Sequence, residues 1–144
     1  MKINISHKRV RTKNERRAVI FGYLWFFGSF VIVFLVPALA FALCNLFGVA
    51  GIAEVRIVYV SAGVAMICVG IYNIVGAALE FKHILVASQL FPKSRYRFDP
   101  DPRIAWTKKD KSEYIAWGAT VVALGVAVIL IFALEALGVL DIQI

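Results

Sequence analysis

The chain has 144 residues, a formal net charge of +7 and a hydrophobic share of 61%, with a mean hydropathy of +0.81. That length suits one domain, and the apolar share exceeds what a soluble core of this size could hide. The positive charge sits in two segments rather than across a folded surface, which argues against a nucleic-acid-binding domain. Two cysteines and two histidines leave little for a disulfide framework or a catalytic His set.

Fifteen of the sixteen Lys and Arg residues fall before Ala18 or between Lys82 and Lys111, and only Arg56 stands apart. Short Lys- and Arg-rich segments of membrane proteins stay cytoplasmic. The expected fold is therefore an all-α integral membrane protein with three transmembrane helices. Its N-terminus and a long basic loop would be cytoplasmic and its C-terminus on the outer side, in what reads as the inner membrane of a prokaryote.

In chain order, residues 1–17 form a basic cytoplasmic segment. Within it Thr12 and Glu15 fit a capping box, in which hydroxyl and carboxylate satisfy the first free N–H groups of a helix. Residues 18–44 carry no charge and exceed the roughly 20 residues needed to cross a bilayer, so they form transmembrane helix 1. Pro37 should kink that helix or end its regular part. Tyr23 and Trp25 lie near its inner end, where such aromatic residues favour the headgroups. Ala38-Leu39-Ala40 resembles a signal-peptidase site, but the apolar run before it is longer than the usual 7 to 15 or so residues. Retention of the first helix is the preferred reading.

Residues 45–55 make a short outer connection containing Gly48 and Gly51, and residues 56–79 form transmembrane helix 2, rich in small side chains. Residues 80–111 begin as an amphipathic extension of that helix, with Phe81, Ile84, Leu85 and Leu90 on its apolar side. Pro92 should end it, and Pro100 and Pro102 exclude regular helix from the loop that follows. Transmembrane helix 3 occupies 112–135, capped by Asp110 or Ser112, and 136–144 is an outer tail. Cys44 and Cys68 lie at depths too different for a disulfide and read as small buried hydrophobes.

In lipid no hydrophobic force draws helices together, so small residues that permit close approach mark packing faces. The candidate helix-packing residues are Gly63, Gly70 and Asn73 in helix 2 and Gly118, Ala119, Ala123, Gly125 and Ala127 in helix 3. The last five read as one smooth face, turned toward the other spans of the chain or forming a seam for another copy or another protein. Asn73 reads as a hydrogen-bonding link between helices rather than an ion ligand. Arg16, Arg17, Lys93, Arg95, Tyr96, Arg97, Arg103 and Trp106 are candidates for contact with anionic headgroups or a cytoplasmic partner. Such basic and aromatic interleaving also suits single-stranded nucleic acid, a reading ranked far behind.

Glu80 and His83 have the i, i+3 spacing of half a carboxylate-bridged metal site. A full site needs more carboxylates at the same depth, and Glu135, the acid read as close to a span's apolar part, belongs to the opposite face, so no metal is expected. There is no nucleotide-binding glycine loop and no paired intramembrane acid, and no enzyme activity or cofactor is expected.

The order of basic N-terminus, three spans and basic loop is similar to the small three-helix family that includes the membrane subunit of the yeast vacuolar polyphosphate polymerase complex. Of that family's Asn-Glu-Arg-Thr stretch only Asn14-Glu15-Arg16 is present, with Arg17 in place of Thr. Three residues carry neither a family assignment nor a site. The expectation is a non-catalytic structural or accessory subunit of a multi-protein membrane complex, with membrane lipids and other subunits or copies of itself as partners. A self-assembling, holin-like pore is the alternative.

Overall fold

The structure, a computed structural model, describes residues 11–90 and 100–138. Four helices make up the regular structure of these residues: α1 (Lys13–Leu46), α2 (Ile52–Ala78), α3 (Lys82–Gln89) and α4 (Lys108–Ala136). Three of them, α1, α2 and α4, are long and apolar enough to cross a membrane. At 1.5 Å per residue they extend about 40 to 51 Å, against a hydrocarbon thickness of about 30 Å.

The start of α1 follows from the capping box. Glu15 N–H donates to Thr12 Oγ1 at 3.3 Å and Thr12 N–H donates to Glu15 Oε2 at 2.7 Å. The helix continues past Pro37 to Leu46 instead of ending there. It closes with Gly48 in the left-handed region at φ 69°. Val49 N–H reaches back to Cys44 O at 2.8 Å and Gly48 N–H to Asn45 O at 3.3 Å. This pair of bonds is a Schellman ending, which satisfies carbonyls the helix leaves free. Gly51, at φ 71°, is the N-cap of α2. Because two glycines make this turn so short, α2 begins at Ile52, ahead of the boundary expected at residue 56.

The second turn corrects the expectation of one continuous helix through residues 80–91. Phe81 N–H bonds Gly76 O at 2.8 Å and Glu80 N–H bonds Ala77 O at 3.3 Å, so α2 also finishes in a Schellman motif. Here the left-handed residue is Glu80, at φ 58°. The chain then reverses into the separate helix α3, which packs against α1 and α2. Glycines seat it there. A Cβ on Gly22 would collide with the Val86 side chain, and one on Gly76 would lie 2.6 Å from Ile84 Cγ1. Ile84 and Val86 are fully buried as a result.

At the start of α4 the cap is Thr107 rather than Asp110 or Ser112. Its Oγ1 accepts from Asp110 N–H at 3.1 Å and donates to Asp110 Oδ2 at 2.6 Å. The helix thus begins earlier than expected, with the Thr107 hydroxyl satisfying the free Asp110 N–H of its first turn.

Within the bundle α2 lies between α4 and α1. The core gathers at the α3 end, around Ala77, Ile84 and Tyr114, with Trp25, Phe81, Trp106 and Ile115 packed on it. Elsewhere the long helices leave large apolar side chains uncovered, among them Phe34, Leu35 and Leu39 of α1 and Leu124 and Leu130 of α4. Both cysteines are free thiols. Cys44 is buried as expected of a small hydrophobe, whereas Cys68 is exposed on the outer face of α2.

Candidate functional site

The α2–α4 seam is built on glycine. A Cβ on Gly70 would stand 2.7 Å from Gly118 O, and one on Gly63 would stand 2.8 Å from Gly125 O. The reciprocal positions are as tight, 3.0 Å for Gly118 to Gly70 O and 2.6 Å for Gly125 to Gly63 O. In each helix the glycines are seven residues apart, about two turns, so both face the same neighbour. At these glycines the antiparallel backbones approach closely, with Val122 and Ile129 packed into the same notches, the kind of close approach that favours helix association in lipid.

Ala119, Ala123 and Ala127 are different. They are exposed, although the sequence reading placed them on the glycine face. One residue along a helix is a rotation of about 100°. With Gly118 and Gly125 turned inward, alanines one or two positions away from them cannot share that direction.

An ion pair lies beyond each end of the seam. Arg56 Nε meets Glu135 Oε2 at 3.1 Å beyond the Gly63–Gly125 pair, and Lys111 Nζ meets Glu80 Oε1 at 3.1 Å beyond the Gly70–Gly118 pair. Tyr59 stacks on Phe132 with centroids 4.9 Å apart, one turn inside the first ion pair.

At the α3 end, Asn73 joins three helices. Its Oδ1 accepts from Trp25 Nε1 at 2.8 Å and from the Tyr114 hydroxyl at 3.2 Å. The residue is 1% exposed, so two donors on one oxygen compensate the cost of burying an amide. Trp25 therefore points into the bundle, where the sequence suggested a headgroup anchor. Its ring also packs on Tyr72 at a centroid distance of 4.2 Å, and the Tyr72 hydroxyl shares a 2.9 Å hydrogen bond with His83 Nε2. Burial pushes the His83 pKa below its ordinary 6.5, favouring the neutral imidazole.

Glu80 and His83 diverge, one toward Lys111 and the other toward Tyr72. Among the described residues no three His, Cys, Asp or Glu side chains are grouped to hold a metal ion.

Gln89 ties the loop before α4 to α3. Gln89 Nε2 donates to Asp101 O at 3.0 Å and its Oε1 accepts from Asp101 N–H at 2.7 Å, an amide standing in for a second strand of backbone. Arg11 adds a 2.9 Å bond to Pro100 O. Arg103 grips Asp101 through Nε and Nη2 at 2.8 and 2.9 Å, and that hydrogen-bonded guanidinium holds the Asp101 carboxyl below the usual range. Arg103 is thus engaged within the loop, and Trp106 packs on the core cluster. Arg16 and Arg17 are exposed on the first turns of α1. Lys93, Arg95, Tyr96 and Arg97 lie outside the described residues.

Sequence reasoning missed Trp25, Tyr114 and Gln89 as structural polar groups, and Gly22 and Gly76 as the seat of α3. The seven-residue glycine spacing, repeated in α2 and α4, was the available signal for an antiparallel seam. Comparison with known proteins returned nothing: no family model, no curated protein and no solved structure matches this chain.

Proposed function

We propose that this chain is a small, non-catalytic membrane protein that serves as a structural or accessory subunit of a larger membrane complex. Its N-terminus, α3 and basic loop would face the cytoplasm. The orientation rests on charge: Lys13, Arg16, Arg17, Lys82, Lys108, Lys109 and Lys111 all belong to the α3 end of the bundle. At the other end the lone Arg56 is neutralised by Glu135.

The observation that carries the subunit reading is the face α4 leaves uncovered. Its glycines are spent on α2, while Ala119, Ala123 and Ala127 form a second small-residue row with no covering helix among the described residues. Such a row lets another helix approach closely. The pore alternative has weaker support, because the span hydroxyls turn back on their own helices. Ser29 donates to Phe26 O, Ser61 to Val58 O and Thr120 to Ala116 O. Asn73 Oδ1 is occupied within the bundle and the Tyr72 hydroxyl is bonded to His83, so these groups leave no polar stripe to line water among the described residues.

A photo-crosslinking amino acid at position 123, expressed in native membranes, tests the reading. It should yield a discrete protein adduct, which the same group at exposed Leu35 of α1 should not. Lipid adducts alone at position 123 would contradict it.

A further inference from the structure

Beside the polar network a groove of about 470 Å³ opens on the outer surface of α1. Its wall is Phe21, Leu24, Trp25, Gly28 and Ile32, and its polar end is formed by Tyr72 from α2 and His83 from α3. From the bilayer-spanning orientation of the bundle, independently of the subunit reading, we propose that this groove binds one anionic phospholipid: an acyl chain along α1 and a headgroup at the His83 end.

Depth is the first argument. From Phe21 to Ile32 the helix rises about 16 Å, close to half of a 30 Å hydrocarbon core and hence to a single leaflet. A groove of that depth, apolar along its length and polar at one end, matches a lipid in both dimension and polarity.

The second argument is charge. Arg17 stands one turn before Phe21 on the same face of α1, and Lys82 directly precedes His83. Both are exposed, and no acidic side chain lines the groove. A phosphate at the polar end would lie at the end of the bundle that carries Arg17 and Lys82, with the Tyr72–His83 pair beside it to hydrogen-bond its oxygens or the glycerol esters.

Rigidity is the third. Trp25 is held by Asn73 and Tyr72, and Tyr72 by His83, so this polar end of the groove is fixed before a lipid arrives and its three side chains lose little entropy on binding. Gly28 completes the shape. A Cβ there would meet nothing within 4 Å, unlike Gly22 on the same helix, where Val86 fills the space. The missing side chain of Gly28 leaves room on the surface rather than for a neighbouring helix.

The test uses the full chain in bilayers of nine parts phosphatidylcholine to one part phosphatidylglycerol, with a photoactivatable group on the acyl chain of one lipid or the other. Labelled phosphatidylglycerol should modify α1 between Phe21 and Ile32 in preference to exposed positions of α4 such as Leu124 and Leu130. Labelled phosphatidylcholine should show no such preference. Gly28→Phe, whose Cβ meets nothing within 4 Å, should fill the groove with its ring and abolish the preferential labelling. Arg17→Gln and Lys82→Gln should each lower the selectivity for phosphatidylglycerol about fivefold. Uniform labelling of all exposed faces, or labelling of residues 21–32 unchanged by Gly28→Phe, would overturn the lipid site while leaving membrane insertion intact. Absence of labelling on every helix, α4 included, would overturn the bilayer-spanning reading and the site together.

Discussion

Glycine has three distinct uses in this chain, and substitution separates two of them. At Gly70 an added methyl would press on the Gly118 carbonyl oxygen and Val122, backbone and packed side chain that cannot easily give way. Gly70→Ala should therefore destabilise the bundle by about 1–3 kcal/mol. At Gly28 the same methyl meets open space, and Gly28→Ala should be neutral or stabilising by up to about 1 kcal/mol, through helix propensity. Thermal unfolding in detergent compares the two, and equal effects would contradict the seam described here. All four seam glycines could be picked out from the sequence, but their partners could not. Periodicity says which residues share a face, whereas the choice between Gly118 and the adjacent Ala119 as the inward residue depends on how the opposing backbone fits. Trp25 was misread for a similar reason. Its position near a helix end suits a headgroup anchor, and only the arrival of Asn73 from α2 gives its N–H an acceptor inside.

His83 adds a pH dependence. Its folded pKa lies below the 6.5 of the unfolded chain, so between those two values the unfolded state binds more protons. The stabilising effect of keeping His83 neutral is fully present above pH 6.5 and is lost as the pH falls through that window. Unfolding measured across it should show a decline that His83→Gln lacks. An identical decline in both proteins would rule out this origin.

At the scale of elements, the helix endings hold the clearest contrast. α1 and α4 close with glycines in the left-handed region, Gly48 and Gly138, whereas α2 closes with Glu80 in the same conformation. A side chain there costs about 1 kcal/mol relative to glycine. Glu80 also forms the ion pair with Lys111, but that pair is largely solvent-exposed and contributes little. Glu80→Gly and Glu80→Ala lose it equally, so their difference isolates the backbone. The Gly variant should be more stable than the Ala variant by about 1 kcal/mol in the same unfolding assay, and the reverse order would mean that the α2–α3 turn is not left-handed at residue 80. This turn was hidden in the sequence because a glutamate gives no stop signal, and the apolar pattern of Phe81, Ile84 and Leu85 continues helically across it. By contrast the α1 start was legible, since Thr12 and Glu15 carry the capping chemistry in their own side chains. The α4 start was misassigned by a few residues because Thr107, Asp110 and Ser112 are all competent caps.

For the whole molecule, composition made three helices long and apolar enough to cross a membrane readable in the sequence. The arrangement of α2 between α1 and α4, and the gathering of the core at the α3 end, required the packed structure. The orientation proposed for it is directly measurable. In a variant with both native cysteines replaced by alanine, a cysteine at the exposed position 137 should react with a membrane-impermeant maleimide applied to intact cells. One at exposed position 109 should react only after permeabilisation, and the opposite pattern would invert the topology.

The subunit reading faces its most direct test in the native membrane. Gentle solubilisation there, followed by purification and measurement of the particle mass with identification of its chains, should give a particle larger than one copy that contains at least one other membrane protein in fixed ratio. That ratio should be disturbed by a bulky residue at Ala123 and preserved by Gly28→Ala. A particle of one chain alone, with nothing in fixed ratio beside it, would contradict the account.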